Sequence, residues 1–325
     1  MATKRRPDSG ISFVIPVFNE ENAIADTVRR VIDQMKKLDR AYEVIVVDDG
    51  SSDGTFGAAS TIKGITVLRH PSNSGYGRTL KTGIANANFE LIGIVDADGT
   101  YEIEKIPELV AAIDDGFDMA VASRSNIAKR DSMMKRLSRW LYIMSIRILV
   151  GRDAQDPNSG LRVFSRSFVM TFFPFLCNSF SFTTSLTVFA FGGSYFVKYV
   201  PSQYEVREGK SKVRHIRDTL RTIQLIVQGV TFFNPVKLYL LLAAAHVAFV
   251  ALPSLLLWSC VSVAAGTTYL TAGSLTILLL GLGALGDIVR ISMIRSSGNV
   301  DFEHDPGALK NPASASAGDT TKGVG

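Results

Sequence analysis

Leu91-Ile92-Gly93-Ile94-Val95-Asp96-Ala97-Asp98 is the stretch on which the reading of this chain turns. An apolar run of this length, rich in β-branched residues, reads as a buried strand of a parallel sheet. Two carboxylates one residue apart, just past such a strand, fall where open α/β sheets bind ligands. Hard oxygen ligands at that edge suit Mg²⁺ or Mn²⁺ carrying a diphosphate. Asp-x-Asp is common by itself, so the pattern draws its force from the residues around it.

Outward from this strand the sequence alternates. Residues 11–15, 42–47, 65–68 and 119–122 read as further strands, with helices over 21–38 and near 104–115. This periodicity predicts an α/β fold, a mostly parallel sheet flanked by helices. Pro16, Phe18, Asn19 and Glu20 follow the first strand, and Asp48-Asp49-Gly50-Ser51-Ser52-Asp53-Gly54-Thr55 follows the second. Both sets emerge at the same sheet edge as Asp96 and Asp98. A carboxylate there can accept hydrogen bonds from a nucleobase or a ribose hydroxyl. Equally, Asp48 and Asp49 can shape a turn and a helix start, the role expected of Asp53. Neither G-x-G-x-x-G after the first strand nor G-x-x-x-x-G-K-[ST] occurs, which argues against a dinucleotide fold and a P-loop.

The 325 residues carry a formal charge of +5, and 20% of them are charged. A mean hydropathy of +0.19 is too apolar for an ordinary soluble enzyme. The excess is concentrated, because Leu238 to Gly286 contains no Asp, Glu, Lys or Arg. A bilayer core of ~30 Å needs ~20 apolar residues per helix, so the stretch accommodates two spans. They are expected near 238–262 and 270–294, with a break at Gly266-Thr267-Thr268; a buried helical hairpin is the alternative. Lys237 precedes the first span and Arg290 and Arg295 close the second, which predicts cytoplasmic ends and an outer loop. Lys4-Arg5-Arg6 leads into polar residues, so no signal peptide is expected there, and the bulk of the chain and both termini are read as cytoplasmic. Cys177 and Cys260 suggest neither a disulfide framework nor a zinc site.

Two segments read as basic amphipathic helices. In 133–148, Met133, Leu137, Trp140, Leu141, Met144 and Ile148 alternate with Lys135, Arg136, Arg139 and Arg147. In 210–230, Val213, Ile216, Leu220, Ile223 and Val227 oppose Lys212, Arg214, Arg217 and Arg221. Such helices lie in a headgroup interface or pack on the sheet with a solvated basic face.

Val14-Ile15-Pro16-Val17-Phe18-Asn19-Glu20-Glu21, the Asp48–Thr55 string, Asn73-Ser74-Gly75-Tyr76-Gly77, Asp96-Ala97-Asp98 and Asn158-Ser159-Gly160-Leu161-Arg162 occur in order. From about 11 to 295 the chain resembles family 2 glycosyltransferases of GT-A fold. Within them it is similar to the polyprenyl-phosphate subgroup, dolichyl-phosphate mannose synthases and bacterial polyprenyl-phosphate glucosyltransferases. The resemblance implies an inverting, metal-dependent hexosyltransferase. Its donor would be a nucleotide-diphosphate sugar, UDP-glucose or GDP-mannose foremost, and its acceptor undecaprenyl or dolichyl phosphate at the cytosolic membrane face. It implies Mg²⁺ or Mn²⁺ on Asp96 and Asp98. Pro16, Phe18, Glu20, Asp48, Asp49, Asp96 and Lys81 would bind the nucleotide sugar. Arg124, Asp98, Asp156 and Arg162 would serve the reacting centre. Arg207, Ser211 and Lys212, in Arg207-Glu208-Gly209-Lys210-Ser211-Lys212, would meet acceptor phosphate, or bind lipid headgroups instead. No nucleic-acid partner is implied, and a homo-oligomer is left open.

The resulting organisation is a disordered 1–10, a catalytic domain over 11–207, a juxtamembrane helix over 208–235, a transmembrane hairpin over 236–295 and a disordered tail over 296–325. Two departures stand out. The family commonly has Gln where Thr100 stands, and Glu within the region of Phe180-Ser181-Phe182-Thr183-Thr184. Thr100 suggests greater reliance on water at the metal. Both departures also motivate a rival, a membrane-anchored partner without activity. A processive polysaccharide synthase is a further rival, but Arg136-Leu137-Ser138-Arg139-Trp140 lacks the Gln of that group's Gln-x-x-Arg-Trp.

Overall fold

The computed structural model describes residues 10–125, 133–150, 154–204, 227–229, 231–296 and 309–310. Its strands are β1 (Ile11–Val17), β2 (Tyr42–Asp48), β3 (Thr66–Arg69), β4 (Leu91–Ile94), β5 (Met119–Arg124), β6 (Arg162–Ser165), β7 (Val197–Ser202) and the two-residue β8 (Leu309–Lys310). They form one sheet in the order β7-β5-β6-β4-β1-β2-β3-β8. The pairs β1–β2, β1–β4, β2–β3 and β5–β7 are parallel. The expected mostly parallel sheet is thus interrupted by β6, which runs antiparallel to both β4 and β5.

That interruption builds the site. The chain enters β6 from the carboxyl-terminal edge of β4, with Arg162 paired to Ile94 in register. The turn over 156–160 is therefore delivered beside Asp96. Alternation of strand and helix cannot reveal such a return, because periodicity carries no strand direction and the four residues Arg162-Val163-Phe164-Ser165 are too few to mark themselves as a strand.

Helices α1 (Ile24–Met35), α2 (Thr55–Ser60), α3 (Tyr76–Ala85) and α4 (Ile106–Asp114) connect these strands. In α1, Ile24, Thr27, Val28, Val31, Gln34 and Met35 are buried at three- and four-residue spacing, one face against the sheet. That face meets Ile11, Phe13, Ile15, Val44 and Val46 in a single core, where each aliphatic side chain contributes roughly 1.5–3 kcal/mol. Helices α5 (Met133–Val150), α6 (Arg166–Thr171) and α7 (Phe182–Gly192) follow. Nearly every residue of α7 is buried. On α5, Met133, Trp140 and Met144 are exposed. They fall within about 40° of one another around the helix.

The chain divides into two compact units, 1–218 with 301–325, and 219–300. In the second, α8 (Pro235–His246), a π-helical turn (Val247–Ala251) and α9 (Leu252–Cys260) run on from one another, followed by α10 (Val263–Ser296). Pro235–Cys260 and Val263–Met293 are long and apolar enough to cross a membrane, and little of either is buried within the chain. The break falls at Val261–Ser262, not at Gly266-Thr267-Thr268. Ser262 Oγ accepts the Ala265 N–H at 3.1 Å and starts α10. Gly266 instead allows close packing, since a Cβ there would sit 1.7 Å from Trp258 Cδ1. Most of the amphipathic helix expected over 210–230, and the termini expected to be disordered apart from Gly10, Ser296 and Leu309–Lys310, lie outside the described residues.

Candidate active site

Three strand exits converge. The N–H of Asp49 donates to Val17 O at 2.9 Å, closing the end of β2 onto β1. Asn19, at φ 51°, donates its N–H to Ser51 Oγ and accepts the Ser52 N–H, both at 2.9 Å. Glu20 donates its backbone N–H to Thr55 Oγ1 at 2.9 Å, while its carbonyl starts α1. Pro16 is buried inside β1, and Phe18 and Glu20 are half-buried just past it. Asp53 takes its expected role, accepting the Thr55 N–H at 3.0 Å.

The two acidic residues ending β2 are anchored in the protein. Asp48 is fully buried, bonds Ser51 through both backbone and hydroxyl, and faces Arg69 Nε at 3.2 Å. Asp49 accepts Ser74 N–H, Ser74 Oγ–H and Gly75 N–H at 2.8–2.9 Å, and its Oδ1 lies 2.8 Å from His70 Nδ1. Burial pushes the Asp49 carboxyl up, but the bonds from His70, Ser74 and Gly75 outweigh it and hold it below the usual range. Asp49 therefore spends its acceptor capacity on the 70–75 loop rather than presenting it outward. His70 also faces Thr82 Oγ1 at 2.9 Å through Nε2. The sequence reading missed this histidine, whose only signal was its place directly after β3.

Asp96 and Asp98 stand half-buried past β4. Asp96 Oδ1 accepts the Tyr76 hydroxyl at 2.7 Å, and Tyr76 stacks on the exposed Phe180 with ring centroids 5.6 Å apart. Burial first, then the Asp96 charge, raises the Tyr76 phenol well above its ordinary value and keeps it a donor. Asp98 Oδ1 accepts both the Thr100 N–H and, at 2.6 Å, its hydroxyl. Thr100 is fully buried, so its hydroxyl orients Asp98.

The turn over 156–160 closes the other side. Gly160 abuts Asp96 so closely that a Cβ would lie 2.2 Å from Oδ2. Its N–H donates to Tyr101 Oη at 2.6 Å. Asp156 receives Arg124 bidentately, Nε to Oδ2 and Nη2 to Oδ1 at 2.7 Å, plus the Arg124 N–H at 3.1 Å. Burial raises the Asp156 carboxyl, yet the bonds and charge of Arg124 prevail and depress it. The Arg124 guanidinium also lies 5.2 Å from the Tyr204 ring centroid, and Tyr204 bridges to Tyr101.

Arg162, expected at the reacting centre, and Lys81, expected at the nucleotide sugar, sit elsewhere. Arg162 has no exposure and points inward: Nε to Ser159 O at 2.7 Å, Nη1 to Thr187 Oγ1 at 2.7 Å, Nη2 to Pro157 O at 2.6 Å. It holds the turn from beneath and does not face a substrate. Lys81 lies with Nζ 5.5 Å from the Phe173 ring centroid, and burial pushes its ammonium down to about 8. It is five residues from Tyr76, about 140° round α3, so it does not share the face that reaches Asp96. Arg207, Ser211 and Lys212 lie outside the described residues.

Among the described residues no group of three or more His, Cys, Asp or Glu could hold a metal unaided. Two half-buried carboxylates with hard oxygens nonetheless fit Mg²⁺ or Mn²⁺ that arrives with a diphosphate and completes its shell with phosphate and water.

The family model for glycosyl transferase family 2 matches residues 12–175. The undecaprenyl-phosphate 4-deoxy-4-formamido-L-arabinose transferase of Proteus mirabilis (strain HI4320) is 32% identical over 185 residues, 53% of this chain and 56% of that protein. That of Yersinia pestis (strain Pestoides F) is 32% identical over 197 residues, 56% of this chain and 60% of that protein. The chain thus spans a little over half the length of these curated relatives. Glucosyl-3-phosphoglycerate synthase from Mycobacterium tuberculosis, solved with UDP, aligns with a TM-score of 0.54 at 19% identity, covering 68% of this chain and 80% of that one. The same enzyme with Mn²⁺, UDP-glucose and phosphoglyceric acid gives 0.53 at 18%, again over 68% and 80%. At such identity these structures show the fold alone, a GT-A glycosyltransferase fold.

Proposed function

This chain belongs to glycosyl transferase family 2, and on that premise we propose that it moves a sugar from a nucleotide-diphosphate sugar onto a polyprenyl phosphate at the cytosolic membrane face. The observation that carries the reading is the convergence on Asp96 and Asp98 of three strand exits and the 156–160 turn, in a chain that also carries two helices of membrane-crossing length. The names of the Proteus and Yersinia relatives support the acceptor class. The exposed line of Met133, Trp140 and Met144 on α5, with Arg136 and Arg147 also exposed, supports a catalytic unit working against a lipid surface.

Asp96 and Asp98 would hold Mg²⁺ or Mn²⁺, and the cation would neutralise charge gathering on the departing nucleoside diphosphate. Phe18 and Glu20, with Pro16 behind them in β1, would border the nucleoside, and the buried Asp48 and Asp49 would shape the loops around it. Arg207, Ser211 and Lys212 would take the acceptor phosphate. A phosphate monoester has a second pKa near ~6, so its attacking oxygen is already ionised at neutral pH and needs no strong base. The Asp156 carboxylate fits that economy: held ionised by Arg124 and with a depressed pKa, it is a poor base and a good anchor. Direct displacement at the anomeric carbon then inverts configuration, giving a β-linked product from an α-linked donor.

The test incubates membranes carrying the full chain with polyprenyl phosphate, Mg²⁺ or Mn²⁺, and labelled nucleotide sugars. The donor panel holds UDP-glucose, GDP-mannose and a nucleotide-linked 4-deoxy-4-formamido-L-arabinose. One donor should yield a labelled lipid that disappears in Asp98→Ala. No lipid from any donor, despite metal-dependent nucleotide binding, would move the reading to a membrane-anchored partner without turnover.

A further inference from the structure

Halfway along the turn that joins the Arg124–Asp156 pair to Asp96 stands Asn158, exposed at its side chain yet pinned at one end. Its Oδ1 accepts from Thr184 Oγ1 at 2.6 Å and from Tyr142 Oη at 2.9 Å, and the two hydroxyl oxygens are 2.8 Å apart. Thr184 is 1% exposed. Burial raises the Tyr142 phenol above its ordinary value, so it keeps its proton.

Counting protons fixes which way the amide faces. The two hydroxyls carry two protons. One can pass between them; the second needs an acceptor, and Asn158 Oδ1 is the acceptor the triangle provides. With the amide reversed the hydroxyl oxygens could still accept its N–H groups, but one hydroxyl proton would be left without an acceptor in the triangle, a costly arrangement beside the buried Thr184. The carbonyl end therefore faces α5 and α7, and the NH₂ end faces outward with two donors and no charge. Tyr142 and Thr184 lie on different helices, so the amide is clamped from both sides of the turn.

We propose that Asn158 determines donor specificity by hydrogen-bonding an oxygen of the transferred sugar, a proposal that rests on the donor reading above. Along the turn, Asn158 lies between Gly160, which abuts the carboxylates that would meet the diphosphate, and Asp156, which holds Arg124. The group attached to the diphosphate has to occupy that interval for transfer to occur. A neutral donor suits a sugar oxygen; phosphates call for the charged groups. Tyr142 and Thr184 are positioning residues that act through Asn158.

The experiment compares binding of the nucleotide sugar that wild type turns over with binding of the matching free nucleoside diphosphate, by calorimetry on the detergent-solubilised full chain. Asn158→Ala should weaken the nucleotide sugar about tenfold, the size of one lost hydrogen bond, and leave the nucleoside diphosphate within about twofold. Asn158→Asp keeps the inward acceptor and removes the outward donor, so it should lose the same discrimination. Tyr142→Phe and Thr184→Val should each cost several-fold in wild type and nothing further in Asn158→Ala. Equal weakening of both ligands, unchanged sugar affinity in Asn158→Asp, or fully additive effects of Tyr142→Phe would overturn the assignment. A rise in KM for lipid phosphate alone would overturn it in favour of an acceptor contact. Absence of any nucleotide binding by wild type would sink the donor reading itself, a different failure from the others.

Discussion

Gly160→Ala is the sharpest single perturbation of the carboxylates proposed to hold the metal. Gly160 is not in the left-handed region, so alanine brings no backbone strain of that kind, and the effect is steric. The added Cβ would stand 2.2 Å from Asp96 Oδ2 and 2.6 Å from its Cγ, whereas ordinary contact starts at 3.4 Å. Asp96 must retreat by about 1 Å, and misplacement on that scale costs on the order of 100-fold in rate at a reacting centre. Retreat also strains the Tyr76 hydroxyl bond at 2.7 Å, worth about 1 kcal/mol. The turn cannot yield instead, because Tyr101 holds the Gly160 N–H and Arg162 holds Ser159 and Pro157. The assay is the initial rate of lipid-linked sugar formation across a Mn²⁺ titration, with a thermal melt of the same preparation. Gly83→Ala is the control: its Cβ would lie 2.2 Å from Val14 Cγ1, between α3 and β1. It should lower the melting temperature without moving the Mn²⁺ requirement, while Gly160→Ala should raise that requirement and cut the rate. A Gly160→Ala enzyme with wild-type Mn²⁺ dependence and a rate within threefold of normal would refute this account of the carboxylate's seat.

Three further outcomes follow from the same contacts. Tyr76→Phe removes one donor from Asp96 while keeping the ring stacked on Phe180; a five- to tenfold rate loss, on the order of 1 kcal/mol, is expected in the lipid-product assay. Arg162→Lys abandons a fully buried fork that serves Ser159, Pro157 and Thr187, so it should lose about 3 kcal/mol or more in denaturant unfolding. Asp49 and Asp156 both have carboxyls held below the unfolded value near ~3.9, so their contribution is present above that pH and lost as pH falls through the folded values. Acid unfolding should steepen below about pH 4, and Asp156→Asn should flatten that slope.

The parallel strands and the Asp96-Ala97-Asp98 edge were legible because each signal is local: an apolar run, then carboxylates at its end. The return strand β6 was not, since its direction depends on where the chain arrives rather than on its composition. Arg162 and Asp49 were misplaced for a related reason. A charged residue inside a motif reads as facing a ligand, but whether its hydrogen bonds are already taken within the protein depends also on segments far away in sequence, the Thr187 hydroxyl for Arg162 and residues 70–75 for Asp49. His70 and Tyr142 escaped notice because each matters through partners brought in by the fold, Asp49 and Thr82 for His70 and Asn158 and Thr184 for Tyr142.

The two threonines that looked like losses take on a consistent meaning in this setting. Read as missing ligands, Thr100 and Thr184 argue for a weakened site. In the structure both are buried, and each directs its hydroxyl at an acceptor beside the half-buried carboxylates, Thr100 at Asp98 and Thr184 at Asn158. A short β-branched side chain has one strongly restricted torsion, so little freedom is lost when it is held to a single direction. Departure from the family's residues at 100 and 184 is therefore weak evidence for a lost site, since both side chains are engaged in ordering their neighbours.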